Sequence, residues 1–132
     1  MKMVVTFGVF DLFHFGHENL FRRAKKLGDY LIVAVQDDKN AITNKPSTRL
    51  INNLDKRLEN VRGCMFVDRA IAYTQIDEDI SKINFDVLVV GPDQKNEHFV
   101  KAIEWCKKNG KKVIVLERTE GISSSMLREK LK

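Results

Sequence analysis

His14 and His17 are the residues whose type and spacing most directly indicate chemistry in this sequence. They follow a β-rich run at residues 3–7 and lie where a helix is predicted to begin, near Gly16. The first turn of a helix presents unpaired backbone N–H groups and the positive end of the helix dipole, and both favour a bound anion. A lone histidine is more often a capping or half-buried residue. Two imidazoles at this junction can bond phosphate oxygens and stabilise developing negative charge, so the pair predicts a phosphate-binding site.

A second group of phosphate-binding residue types lies near the other end of the sequence. Arg118 is a permanent cation whose planar guanidinium matches two phosphate oxygens at once. Three hydroxyl residues follow it, where the last helix is predicted to begin: Ser123, Ser124 and Ser125. One serine alone would be interpreted as a helix cap. Three hydroxyls beside Gly121 and a basic residue favour a bound ligand instead.

Both groups belong to motifs that resemble those of a known enzyme family. The run Gly8-x-Phe10-Asp11-x-x-His14-x-Gly16-His17 resembles the signature of the nucleotidyltransferases that use a His-x-Gly-His motif. The run Arg118-Thr-Glu-Gly-Ile-Ser-Ser-Ser125 is similar to the Arg-Thr-Glu-Gly-Ile-Ser-Thr-Thr segment of the glycerol-3-phosphate cytidylyltransferase group. Either motif alone is suggestive. Both in this order, in a chain of 132 residues, are specific, and the resemblance extends over nearly the whole chain.

The resemblance implies roles for individual residues. The implied catalytic residues are His14, His17, Lys45 and Arg118. The implied nucleotide-binding residues are Val9, Phe10, His14, His17, Lys45, Arg57, Asp93, Arg118, Thr119, Glu120, Gly121, Ile122, Ser123, Ser124 and Ser125. The implied acceptor-binding residues are Asp11, Lys45 and Arg49. For Asp11, a structural role as a cap or turn former that holds its loop is favoured over a role near the metal. No side-chain metal ligand is predicted, because the resemblance implies Mg²⁺ bound through the nucleotide triphosphate.

The sequence departs from the glycerol-3-phosphate pattern in two places. The segment from Gly91 to Gln94 corresponds to a Gly-Asp-Asp-Trp-like segment, but Pro92 replaces an acidic residue and the tryptophan is missing. The stretch after the third predicted strand is acidic (Asp77, Glu78, Asp79), and no basic acceptor-binding residue is evident there. An acceptor other than glycerol-3-phosphate therefore remains open.

Alternating strands and helices must position these motifs. Apolar runs predict five strands, at residues 3–7, 30–35, 66–71, 86–90 and 112–117, with helical patterns between them and a closing helix at 123–131. Residues 36–47 are predicted to be a loop, since Pro46 is excluded from a helix interior. This order predicts a single α/β domain over residues 1–132, a Rossmann-like, doubly wound, five-stranded parallel sheet. Each motif follows a strand, where such sheets bind ligands.

Composition limits the other possibilities. Hydrophobic residues make up 43% and charged residues 31% of the chain, as in a soluble globular protein. No apolar run approaches the roughly 20 residues of a membrane span. Cys64 and Cys106 give no disulfide or metal spacing, so the cytoplasm is the expected location. The net charge of +5 suits an anionic ligand, and no nucleic-acid module is visible.

The sequence thus predicts a CTP-dependent cytidylyltransferase that forms a CDP-linked product and pyrophosphate. The predicted acceptor is a small phosphorylated alcohol or polyol, with glycerol-3-phosphate first, in the synthesis of a cell-surface polymer or phospholipid. The resemblance also implies a homodimer. Three alternatives remain: an adenylyltransferase of the same fold acting on FMN or a sugar phosphate, a non-catalytic nucleotide sensor, and, least favoured, a nucleic-acid binder.

Overall fold

The computed structural model describes residues 1–11, 15–92 and 94–116. Within these residues, strands and helices alternate along the chain. They are β1 (Met3–Gly8), α1 (Phe15–Lys25), β2 (Tyr30–Gln36), α2 (Asp38–Asn44), α3 (Leu54–Arg62), β3 (Arg69–Tyr73), α4 (Ile76–Asp79), a 3₁₀ turn (Ile80–Lys82), β4 (Val87–Val90), α5 (Glu97–Lys108) and β5 (Lys112–Val115).

The five strands form one parallel sheet in the order β3-β2-β1-β4-β5. The chain moves outward from β1 through β2 to β3 and then returns to place β4 on the other side of β1. The switch point of the sheet therefore lies between β1 and β4. The predicted doubly wound α/β fold is confirmed.

Alternation along the strands divides the core between the two faces of the sheet. Val4 of β1 packs in one cluster with Phe21 of α1 and Val61 of α3. Val5 of the same strand packs in the other cluster, with Phe99 of α5. Because successive strand residues point to opposite faces, both faces are covered and the strands read as nearly continuous apolar runs.

Two predicted elements differ from the structure. The segment predicted as a loop contains α2 (Asp38–Asn44), which ends two residues before Pro46. The third strand lies at Arg69–Tyr73, later than predicted. Both differences arise from tertiary contacts that a local pattern does not contain. The predicted closing helix lies outside the described residues. Among the described helices, none combines the length and the apolar character that a membrane span requires.

Because all five strands are parallel, their carboxyl-terminal ends lie at one edge of the sheet, here called the carboxyl edge. It is formed by Gly8, Gln36, Tyr73, Val90 and Val115. The segments that follow these strand ends include the predicted site residues. In open α/β sheets, ligands bind outside this edge at the switch point.

Candidate active site

The turn after β1 has a strained backbone. Phe10 adopts a φ of 54°, in the left-handed region that a bulky L-residue rarely enters. This conformation folds its ring back over Gly8, where an added Cβ would lie 2.6 Å from the ring. Any other residue at position 8 would therefore force the Phe10 ring to move. Strained backbone of this kind costs of order 1–3 kcal/mol and is concentrated at functional sites.

The buried ring of Phe10 supports His17 in the first turn of α1. The two ring centroids lie 5.3 Å apart with the planes at 89°, and Phe10 also contacts Phe21 with centroids 5.1 Å apart. His17 is half-buried in this arrangement. The strained turn thus holds one of the two predicted imidazoles just beyond the end of β1, at the start of a helix.

Asp11 holds a second loop against this turn. Its two carboxylate oxygens accept hydrogen bonds from the backbone N–H groups of Ile51 and Asn52, each at 2.8 Å. The Asn52 side chain donates in return to the Asp11 carbonyl at 3.0 Å. The structure thus gives Asp11 the loop-holding role favoured from the sequence. Its predicted contact with the acceptor remains a prediction.

Arg57 lies at the centre of these loops and is completely buried. Its guanidinium donates to the carbonyl oxygens of Val9 (2.9 Å), Gln36 (2.6 Å) and Asn52 (3.1 Å). It also forms an ion pair with Asp38 in the first turn of α2. One side chain thus ties together the ends of β1 and β2, the start of α2 and the loop that Asp11 holds.

These contacts differ from the direct nucleotide contact predicted for Arg57. A nucleotide could contact the guanidinium only if the guanidinium gave up some of its hydrogen bonds to the protein. Through these contacts Arg57 acts as a positioning residue. Its direct contact with the nucleotide stays a prediction. A signal was present in the sequence, because Arg57 falls on the apolar stripe of α3 with Leu54, Leu58 and Val61. A charge on such a stripe indicates a buried, paired group.

A neutral polar cluster occupies the ends of β2 and β3. Gln75, which precedes α4, donates from Nε2 to the side-chain oxygens of Asn40 (3.0 Å) and Asn44 (2.9 Å). Asn44 donates back to Gln75 Oε1 at 2.8 Å. We call Asn40, Asn44 and Gln75 the amide clamp. It fastens α2 to the segment after β3, and no sequence pattern indicated it.

Gln94 bridges the switch point itself. Its Nε2 donates to the Phe7 carbonyl at the end of β1 (2.6 Å), and its Oε1 accepts from the Gly91 N–H after β4 (2.9 Å). The residue stands where the resembling family has a tryptophan. The sequence alone indicates no role for this glutamine, although its two contacts fix the spacing of the strand ends around the predicted ligand crevice.

The predicted cations Lys45 and Arg49 are exposed in the loop after α2. The Lys45 N–H donates to the Ala41 carbonyl at 3.2 Å, and its own carbonyl accepts from Thr48 N–H at 2.9 Å. The backbone of Lys45 is thus fixed on both sides, while its side chain extends toward solvent. His14, Asp93 and the segment from Arg118 to Ser125 lie outside the described residues.

Tyr73 closes the apolar floor of the carboxyl edge. Its ring packs edge-on against Phe7, with centroids 4.9 Å apart. Burial, reinforced by Asp37 and Asp79 and opposed by Arg57, raises the pKa of Tyr73 well above its ordinary value. The phenol therefore stays protonated at physiological pH, so Tyr73 is not a general base there.

Comparison with known proteins agrees with the motifs and the fold. The family described as cytidylyltransferase-like matches residues 5–130. A glycerol-3-phosphate cytidylyltransferase of Staphylococcus aureus is 39% identical over 99% of this chain and 96% of its own length. The bifunctional protein HldE of Haemophilus influenzae is also 39% identical over 99% of this chain, which covers 28% of that protein.

A solved structure shares the fold. The lipopolysaccharide core biosynthesis protein from Thermoplasma volcanium superimposes with a TM-score of 0.75 at 30% identity, covering 90% of this chain and 97% of that one. The family match spans almost the whole sequence and includes most of β1, the His-x-Gly-His run and the carboxyl edge described above. This chain belongs to the cytidylyltransferase-like family of nucleotidyltransferases.

Proposed function

We propose that the chain transfers a cytidylyl group from CTP to a small phosphorylated alcohol or polyol, with glycerol-3-phosphate as the first choice. An oxygen of the acceptor phosphate attacks the α-phosphorus of CTP. The bond between that phosphorus and the oxygen bridging to the β-phosphate breaks, and pyrophosphate leaves with the bonding electron pair. The product is a CDP-linked alcohol that can serve the synthesis of a cell-surface polymer or phospholipid.

The placement of His17 carries the proposal. The imidazole lies in the first turn of α1, beyond β1 and beside the switch point, and the Phe10 ring packs against it. A donor at this position can stabilise charge that develops on the α-phosphate, since helix N–H groups and the helix dipole act in the same direction. Phosphoryl transfer of this kind depends mainly on positioning and charge stabilisation.

The remaining roles follow the sequence prediction. His14 would share the triphosphate with His17. Further contacts with the nucleotide would come from Arg118, Thr119, Glu120, Gly121, Ile122, Ser123, Ser124 and Ser125. Asp93 would help to fix the base of the nucleotide or to position its own loop. Lys45 and Arg49 are exposed on the β2 side and would receive the acceptor phosphate.

Mg²⁺ would enter on the triphosphate, where it neutralises phosphate charge during transfer. Among residues 1–11, 15–92 and 94–116, no three His, Cys, Asp or Glu side chains form a possible metal site. The phosphate oxygens are the ligands that Mg²⁺ prefers in nucleotide complexes. We further propose that the chain forms a homodimer in the cytoplasm. Light scattering would measure the mass of this dimer.

Pyrophosphate release tests the reaction and its substrates together. CTP and ATP are each crossed, with Mg²⁺, against glycerol-3-phosphate, longer polyol phosphates, phosphoethanolamine, phosphocholine, heptose-1-phosphate and FMN. Release with CTP and one phosphorylated alcohol supports the proposal. Release with ATP alone would assign an adenylyltransferase. Nucleotide binding without release from any pair would assign a sensor, and salt-sensitive binding to any duplex would assign a nucleic-acid binder.

A histidine pair tests the site within the same assay. His17→Ala is expected to lower turnover by roughly a hundredfold or more while the fold survives, because one transition-state donor is lost. His98→Ala is the matched control, since His98 lies on α5 and contacts Asp77 instead. Equal turnover rates for His17→Ala and His98→Ala would mean that His17 does not have the proposed catalytic role. Arg118→Ala should weaken CTP binding more than it weakens folding.

A further inference from the structure

Helix α2 carries Lys45 at its end, yet apolar packing holds this helix weakly. Of its seven residues, all of which the structure describes, Ala41 alone is buried. A helix of this length is unstable by itself, because few backbone hydrogen bonds offset the cost of starting it. Contacts outside the helix must therefore fix its position.

The amide clamp supplies the contacts on the side of β3. Asn40 and Asn44 are one turn apart and lie on the same face of α2. Both bond to Gln75, which is 8% exposed and forms three hydrogen bonds with them. Asn40 also donates to Asp37 at the start of the helix, at 3.0 Å. Hydrogen bonds shielded from water in this way restrict the geometry of the groups they join.

Lys45 follows Asn44 directly, and its N–H closes the last turn of the helix on the Ala41 carbonyl. Gln75 is therefore connected to the Lys45 backbone through the hydrogen-bonded side chain of Asn44 and the peptide bond between Asn44 and Lys45. The Lys45 side chain is exposed, so the position of the Lys45 main chain determines which region the ammonium group can reach.

We propose that Gln75 positions Lys45 for the acceptor phosphate by holding α2 through Asn40 and Asn44. The inference rests on the proposed function, in which Lys45 contacts that phosphate. Gln75 touches neither substrate; it acts by fixing the helix end. Misplacement of a substrate-contacting group by about 1 Å can lower a rate by about a hundredfold, so a neutral residue after β3 can determine efficiency with the acceptor.

Gln75→Leu keeps a side chain of similar size and removes all three hydrogen bonds. We expect kcat/KM for the acceptor to fall by roughly tenfold or more, while KM for CTP changes by less than about twofold. Thr43→Ala is the matched control, because Thr43 lies on the same helix and bonds to Lys39 outside the clamp. Asn44→Ala opens the clamp from the other side and should reproduce the loss, even if Gln75→Leu fails to fold.

A double-mutant cycle distinguishes positioning from general loosening. If Gln75 acts through Lys45, then Gln75→Leu should change kcat/KM by less than about twofold once Lys45→Ala is present. Fully additive losses would overturn the inference. A folded Gln75→Leu protein with unchanged acceptor kinetics, beside an impaired Lys45→Ala protein, would also overturn it and leave the proposed function standing.

Hydrogen exchange provides a readout that needs no activity. The Lys45 amide should exchange roughly tenfold faster or more in Gln75→Leu than in Thr43→Ala, since three hydrogen bonds of about 1 kcal/mol each no longer resist local opening. Unchanged exchange would refute the clamp. If no acceptor yields pyrophosphate with the wild-type protein, the proposed function fails, and this measurement still decides whether Gln75 fixes the helix end.

Discussion

Two polar clusters hold the carboxyl edge, and they differ in charge. One is the arginine cluster of Arg57, Asp11, Asp38 and Asn52, which joins the ends of β1 and β2 to the following loops. The other is the amide clamp, which joins α2 to the segment after β3.

The difference indicates how each cluster should respond to change. A fully buried guanidinium loses its hydration, so its partners must replace water completely. The amides of the clamp are neutral, and Asn40 and Asn44 are only partly buried, so a lost hydrogen bond costs less there than at a buried charge. We therefore expect the arginine cluster to determine whether the domain folds and the amide clamp to determine where one helix end lies.

Arg57→Met provides the strongest test of this contrast. The substitution leaves three carbonyl oxygens and the Asp38 carboxylate without their shared donor, and we expect a loss of about 3–5 kcal/mol in the free energy of unfolding. Urea denaturation measures it. Arg62→Met on the same helix is the control, since Arg62 is exposed. This substitution should lower the free energy of unfolding by less than about 0.5 kcal/mol. Equal losses would remove the contrast.

Asp11→Ala tests the second member of the arginine cluster. Both carboxylate oxygens accept backbone N–H groups, so we expect a loss of about 1–3 kcal/mol in unfolding free energy, measured by the same titration. Asp11→Asn is the matched variant, because it retains one acceptor oxygen and should lose less. If both variants have the same urea midpoint as the wild type, the carboxylate does not hold the loop.

The sequence was sufficient for the fold, and it placed His17 at the start of the helix that follows β1. Apolar runs predicted all five strands, and their alternation with helices predicted the parallel sheet. The position of His17 beyond β1 followed from strand and helix signals on either side of it. These features depend on local patterns that repeat over several residues.

The partners that position the site could not be predicted in the same way. Gln75 and Asn44 are separated by 31 residues and Gln94 and Phe7 by 87, and no local pattern connects such pairs. Helix α2 was predicted as a loop for this reason, because its position depends on distant side chains. Arg57 alone carried a signal, on the apolar stripe of α3, and that signal indicated burial without naming its partners.

Asp38→Asn separates charge from hydrogen bonding in the arginine cluster. Asp38 is 45% exposed although its partner is fully buried, so water can replace part of the lost interaction. The variant keeps a side-chain oxygen as acceptor, and we expect a loss of about 1 kcal/mol in unfolding free energy, well below that of Arg57→Met. A loss as large as that of Arg57→Met would mean that the charge pair, not the carbonyl bonds, dominates the cluster.

The smallest effect is expected beside the amide clamp, as a pH dependence. The clamp contains no titratable group, but Asp79 accepts from the Thr74 N–H (2.7 Å) and hydroxyl (3.0 Å), next to Gln75. Partial burial raises the pKa of Asp79, whereas the Thr74 hydrogen bonds and Lys82 lower it more, so the pKa lies below its ordinary value. Its stabilising contribution is therefore complete above about pH 4 and is lost as the pH falls through the folded-state pKa.

Asp79→Asn should consequently be less stable than the wild type at pH 7, by about 1 kcal/mol or less. The difference should shrink below about pH 4, where the Asp79 carboxylate is protonated first in the unfolded chain and then, at still lower pH, in the folded protein. Urea midpoints measured across this range provide the test, with Glu78→Gln, an exposed neighbour, as the control. A difference that stays constant with pH would mean that Asp79 stabilises the segment after β3 through its shape and not its charge. In that case acid would leave the amide clamp unaffected.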